Sequence, residues 1–168
     1  MEALTLSIEN KLKEQFGADI ISAETLYDYP VFTVKKDRIL EILTFLYNEQ
    51  ELGFQFLTSL CGVHFPNAAK DQEFGVVYQL HNLVKNQRIR VKIFMPETNL
   101  HVTSITGLFS AANWLERETY DFYGILFKGH NNLVKILNME DQPYFPLRKQ
   151  YPLEDGTRED KDDKMFGR

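Results

Sequence analysis

The stretch Phe74–Met95, FGVVYQLHNLVKNQRIRVKIFM, decides the fold. Phe74, Val76, Tyr78 and Leu80 alternate with Gly75, Val77, Gln79 and His81, and Ile89, Val91, Ile93 and Met95 alternate with Arg88, Arg90 and Lys92. A period of two is the strand period, so each run sets an apolar row on one face and a more polar row on the other. The link from Asn82 to Gln87 suits a hairpin, which pairs the two runs antiparallel. One apolar face and one wet face mean helices on one side only. This is a two-layer α+β fold with a largely antiparallel sheet, not a parallel sheet buried on both sides.

The rest of the chain arranges itself around that pair. Leu4, Ile8, Leu12 and Phe16 recur at helical spacing, predicting a helix over 5–16 that Gly17 ends. Strands follow at 20–26 and 30–35. Asp37 then reads as the N-cap of a helix whose apolar face is Ile39, Leu40, Leu43, Leu46 and Tyr47, with Gly53 just past its end. Phe54, Phe56, Thr58 and Leu60 alternate with Gln55, Leu57, Ser59 and Cys61, giving another strand. A third helix over 107–122 would bury Leu108, Ala111/Ala112, Leu115, Thr119 and Phe122, with Thr106 or Ser110 as its cap and Gly124 at its end. From Asn138 onward Pro143, Pro146 and Pro152 break regular structure, and the closing EDGTREDKDDKMFGR has almost nothing to place in a core. The domain division is therefore 1–137 as the α+β body and 138–168 as an extended segment with a charged tail.

Composition narrows the function. At 168 residues, 43% hydrophobic and 26% charged, the chain has the length for one core, and no apolar run reaches the roughly 20 residues of a membrane span. Its start carries no secretory or transit pattern, so a bacterial cytoplasmic setting is expected. A net charge of −5 argues against nucleic acid as a partner. An iron–sulfur cluster usually takes four thiolates, and Cys61 is the one cysteine; its apolar neighbours predict burial. Neither a Gly-x-Gly-x-x-Gly turn nor a phosphate-binding Gly-x-x-x-x-Gly-Lys loop is present. No cofactor or metal is expected in this chain.

What remains is a dense patch from Ala111 to Leu153. Glu118 and Asp121 lie three apart near the negative end of the third helix, an unfavourable placement that a cation must offset unless water tolerates it; Arg117, Arg148, Lys149 or a partner's arginine are candidates. An enzyme would use these carboxylates with His130 as an acid–base or metal set. The plainer reading is an ion-paired or solvated helix face, with His130 holding the Phe127–His130 turn by a backbone bond. The other histidines, His64, His81 and His101, are scattered without ligand spacing. Trp114 reads as a core anchor in preference to an interface hot spot, Arg88, Arg90 and Lys92 as solvation of the open sheet face or equally a surface for an acidic partner, and Pro146-Leu147-Arg148-Lys149 as a docking element.

These residues carry a resemblance. The run Trp114–Phe127, WLERETYDFYGILF, followed by Gly129-His130, is similar to the signature of the C subunit of the proton-translocating NADH:quinone oxidoreductase, respiratory complex I. The likeness extends back through Ser104 and Ala111-Ala112-Asn113 and forward through Lys135-Ile136-Leu137, Pro146-Leu147-Arg148-Lys149 and Tyr151-Pro152-Leu153. The chain departs from the family where Asn131 replaces a proline after Gly-His, where Val134 replaces a basic residue, and at Gln142–Phe145.

The resemblance implies a non-catalytic hydrophilic scaffold in the peripheral arm of a translocase of the respiratory chain. It would sit on the cytoplasmic side of the bacterial inner membrane, packed against the subunits that hold the terminal iron–sulfur cluster and the quinone site. Flavin and clusters would belong to partners, and residues 138–168 would wrap a neighbour. Implied partner contacts are Glu116, Arg117, Glu118, Asp121, Gly124, Gly129, His130, Pro146, Leu147, Arg148 and Lys149, the charged ones desolvated against that neighbour. The equivalent component of a membrane-bound hydrogenase, formate hydrogenlyase or ferredoxin:quinone complex is the alternative. A stand-alone hydrolase built on Glu118, Asp121 and His130 is the other.

Overall fold

The computed structural model describes residues 2–151; the charged tail expected after Pro152 lies outside the described residues. Two hairpins and one further strand make a five-stranded sheet. β1 (Ile20–Leu26) and β2 (Tyr29–Val34) turn on Tyr27 and Asp28, both at positive φ, the two-residue turn whose twist matches that of the strands it joins. β4 (Phe74–Asn82) and β5 (Gln87–Met95) pair antiparallel from Phe74↔Met95 to Asn82↔Gln87, as the alternation requires. With β3 (Phe56–His64) the spatial order is β1-β2-β5-β4-β3, and the β2–β5 contact alone is parallel.

Three helices share one core with the sheet. Ile8 and Leu12 of α1 (Glu2–Phe16), Ile39, Ile42, Leu43 and Leu46 of α2 (Ile39–Asn48) and Ala112 of α3 (Ala112–Tyr123) meet Phe32, Leu60, Val76, Tyr78, Val91 and Ile93. Ile89, Val91, Ile93 and Met95 are all buried, while Arg88, Arg90 and Lys92 look out from the other face. The fold class is therefore α+β with helices on one side. A small parallel pair, β6 (His101–Thr103) and β7 (Leu126–Lys128), brackets α3; three residues per strand are too few to show a pattern in the sequence.

Several local expectations are corrected. α1 begins at Glu2 rather than 5, and Asp37 does not cap α2: the turn Lys36–Arg38 precedes it and no side chain bonds its N-terminus. In β3 the register slips between Leu57 and Ser59. Thr58 is the extra residue, so Phe56 is turned outward and Leu57 inward, whereas unbroken alternation would give the reverse. The same strand is a sheet edge, which leaves Cys61 exposed instead of buried. The third helix starts at Ala112 rather than 107, because 105–109 form separate turns bonded to the Ile105 carbonyl.

Gly62 sets how closely α3 lies on β3. A Cβ there would meet the Tyr123 ring at 2.5 Å and Thr119 Cγ2 at 3.0 Å. Gly62→Ala is expected to push α3 off the sheet and cost about 1–3 kcal/mol, as overpacking does, read as a lower midpoint in urea unfolding with the m-value unchanged.

Candidate functional site

α3 and the segment after it form the centre of the molecule's chemistry. The helix ends where Gly124 takes the left-handed conformation (φ 77°) and returns its N–H to the Tyr120 carbonyl at 2.8 Å. A side chain there would also strike the Phe145 ring at 2.5 Å. Glycine is thus required twice, by the turn and by the chain that packs over it.

Two carboxylates of α3 are buried, and both are consumed within the chain. Glu116 Oε1 accepts the Ile105 N–H at 2.7 Å and Oε2 accepts the Ser104 hydroxyl at 2.7 Å. Burial raises its pKa, and those two bonds work in the opposite direction. Ser104 in turn accepts the Thr106 N–H at 3.2 Å, so Thr106, expected at the helix cap, joins the Glu116 network instead. Of the stripe expected from apolarity, Ala112 and Thr119 are buried and Leu115 packs against the core, but Glu116 and Asp121, which apolarity does not select, are buried beside them while Phe122 is only half-buried. A glutamate inside this stripe is tolerated because its lone pairs are met.

Asp121 is the stronger case. Oδ2 accepts three successive backbone N–H groups, Ile136 at 3.0, Leu137 at 2.7 and Asn138 at 3.0 Å, and Oδ1 accepts Asn138 Nδ2 at 2.9 Å. Burial works to raise the pKa of this carboxyl, but the donors from Asn138, Leu137 and Ile136 outweigh it and hold it below the ordinary value. The offset for a negative charge at the negative helix end comes from backbone donors, not from an arginine.

The neighbouring cations have other roles. Arg148 donates from Nε to the Tyr123 carbonyl at 2.9 Å and from Nη1 to Glu97 at 2.9 Å, with its guanidinium 5.1 Å from the Phe74 ring centre and 4.9 Å from that of Phe145. It closes the C-terminal end of α3. The Lys149 N–H donates to His64 Nδ1 at 2.9 Å, and the His64 ring stacks on Phe74. Pro146 is half-buried, and the Leu147 N–H donates to the Phe122 carbonyl at 3.2 Å. Residues 138–151 therefore lie on their own domain. Glu116 and Asp121 are buried, and the Arg148 side chain largely so, by this chain's own residues.

The acid–base set does not assemble. His130 accepts the Asn132 N–H on Nδ1 at 3.0 Å and reaches the Asn113 carbonyl from Nε2 at 3.1 Å, the bonding of a neutral imidazole protonated on Nε2. Its turn is made by Gly129 at φ 88°. Glu118 is exposed beside Cys61, Leu115, Phe122 and Leu147 in an open groove between α3 and β3. Asp121, His130 and Glu118 thus have three separate sets of neighbours. Among the described residues, no three His, Cys, Asp or Glu side chains are placed to hold a metal ion, and no helix is long and apolar enough to cross a membrane.

What this region leaves open is an apolar surface. Trp114 is 62% exposed, not the core anchor expected, and the Arg117 guanidinium lies 5.0 Å from its ring centre while Nε bonds the Val134 carbonyl at 3.1 Å. Val134, Leu137, Met139, Tyr144, Leu147 and Tyr151 are exposed along the same segment. Trp114 lies off the apolar stripe that helical spacing selects, and only its size and aromatic character assign it to the core.

Residues 32–157 match the family described as respiratory-chain NADH dehydrogenase, 30 kDa subunit. The chain belongs to this family. It is 41% identical over 149 residues to the C subunit of NADH-quinone oxidoreductase from Citrifermentans bemidjiense, covering 89% of this chain and 90% of that one. Against the corresponding C 1 subunit from Rhizobium meliloti the identity is 41%, covering 90% of this chain and 74% of the relative. Among solved structures, a trypsin-resistant fragment of Nqo5 superposes with TM-score 0.64 at 28% identity, over 75% of this chain and 98% of the fragment. A chain of an archaeal membrane-bound sulfane sulfur reductase shares the fold, with TM-score 0.71 at 23% identity over 88% of this chain and 85% of its own length.

The two buried carboxylates are expected to answer pH in opposite ways. Asp121, with a lowered folded-state pKa, contributes stability above its unfolded value near ~3.9 and loses it as pH falls through the folded value. Asp121→Asn, whose amide opposes that of Asn138, is expected to cost about 2 kcal/mol at pH 7 and progressively less in acid. Glu116, with a raised value, contributes most below ~4.3 and loses this as pH rises through its folded value. Glu116→Gln is therefore expected to gain on the wild type between pH 4 and 8. Urea titrations across pH measure both.

Proposed function

We propose that this chain is a non-catalytic scaffold subunit in the peripheral arm of a proton-translocating NADH:quinone oxidoreductase. The observation that carries the reading is the agreement with a C subunit of NADH-quinone oxidoreductase over nearly the whole length of both chains. In this role the chain holds no flavin, cluster or quinone itself. Its neighbours are the subunits with the terminal cluster and the quinone site, and it meets the cytoplasmic side of the bacterial inner membrane through them.

The surface offered to those neighbours is the outer side of α3 with residues 134–151. Trp114 backed by Arg117, the exposed Val134, Leu137 and Met139, and the groove beside Leu147 make an apolar centre with Glu118 and Lys149 at its rim. Apolar anchors within a polar rim are how stable protein interfaces are built. Gly124, Gly129, His130 and Pro146 shape that surface by fixing the turns that carry it. Glu116, Asp121 and Arg148 act one layer beneath.

The test is purification of the tagged chain from gently solubilised native membranes, with its partners identified by mass spectrometry. The expected company is the set of subunits with the cluster and the quinone site, together with those that bind flavin and NADH. A nickel-binding hydrogenase large subunit would name a related complex instead, and recovery of the chain alone would defeat the scaffold reading. Trp114→Ala with Leu147→Asp should lower partner recovery at least about tenfold, which corresponds to ~1.4 kcal/mol, while the thermal midpoint of the isolated chain stays within a few degrees.

A further inference from the structure

We propose that in the free chain the acidic run Glu154–Asp163 docks on the helix-free face of the five-stranded sheet, against Arg88, Arg90 and Lys92. The three cations occupy every second position of β5, which places them on one face about 7 Å apart. Across the sheet Arg90 is flanked by Val31 and Gln79, and Lys92 by Thr33 and Val77, so no carboxylate stands directly opposite either. Glu24 shares this face through its pairing with Val31, but among the described residues none of the three cations makes an ion pair. Arg90 Nε is shielded from solvent and has no hydrogen-bond partner, with the guanidinium 6.0 Å from the Tyr29 ring centre. Arg88 Nη1 reaches only the neutral Tyr29 hydroxyl, at 3.5 Å, and a shielded, unpartnered arginine donor in a row of cations without ion pairs is a site short of an anion.

The chain supplies one. Between Glu154 and Asp163 lie six carboxylates against Arg158 and Lys161, so this run holds a net −4 of the chain's −5. It also starts near one end of β5. The Lys149 N–H is bonded to His64 at the end of β3, and His64 stands in register with Phe74 and, through it, with Met95; all three are buried on the helix-covered side, so to reach the cations the run must round this end of the sheet. From Met95, Lys92 is three residues up β5 and Arg88 seven, distances of about 10 and 23 Å. The acidic run begins three residues beyond Tyr151, and its ten residues extend to about 33 Å. Tethering of this kind sets an effective concentration on the order of millimolar, so a few partly screened charge pairs suffice to hold it.

The experiment uses the full-length chain at low concentration with a carbodiimide, which joins a lysine amine to a carboxylate only where the two touch. Linked peptides are mapped by mass spectrometry. Lys92 should be joined to carboxylates of Glu154–Asp163 within one chain, with several-fold greater yield than Lys13 on α1 or Lys128 on β7, and the yield should fall several-fold in about 1 M salt, where screening shortens to ~3 Å. A Lys92 yield no higher than that of Lys13 and Lys128 overturns the proposal. So does a yield indifferent to salt, and so does a Lys92–tail link found only in cross-linked dimers, which would assign the tail to a second copy.

Discussion

A carboxylate at the C-terminal end of a helix faces the negative pole of the backbone dipole, and out of water it is stable only where donors converge on it. Asp121 has four: three successive main-chain N–H groups and the Asn138 amide. Their convergence folds residues 136–138 tightly against α3, and the chain that follows is then laid over Gly124, Phe122 and His64. Farther along, Leu147, Arg148 and Lys149 add bonds to Phe122, Tyr123 and His64, while many of the segment's apolar side chains face outward. The domain thus extends to Tyr151 by polar means.

The same helix is tied at its other half by Glu116, which takes donors from Ser104 and Ile105 just past β6. Buried carboxylates rarely add stability over well-packed apolar residues, but they fix one arrangement, because any other leaves a charge unmet. α3 is therefore set in rotation by Glu116 and in its exit path by Asp121. That rotation turns Trp114 and Arg117 outward. The outward face of α3 follows from which residues are buried beneath it, so the interior polar bonds and the proposed docking surface are one piece of design.

Two unlike surfaces result. The α3 side is apolar with charges at its edge, whereas the sheet's open side is a stripe of cations on a strand whose alternate residues are all core. Family membership gives this arrangement its setting, and the buried bonds give its mechanism.

The sequence by itself determined the layers. Strict alternation in 74–81 and 88–95 can bury only one face, and the long signature from Trp114 to His130 identifies the family because so many side chains there have specific partners. It also indicated Gly124 as a helix end. The cap of α2, the slip at Thr58 and the burial of Glu116 and Asp121 in the inward stripe of α3 were decided only in three dimensions. For the slip and the stripe, the deciding contact joins residues distant in sequence: Leu57 with Leu80 across a bulge, Glu116 with Ser104, Asp121 with Leu137. Period and propensity describe a residue's near neighbours, while whether a carboxylate can be buried depends on donors that arrive from elsewhere in the chain.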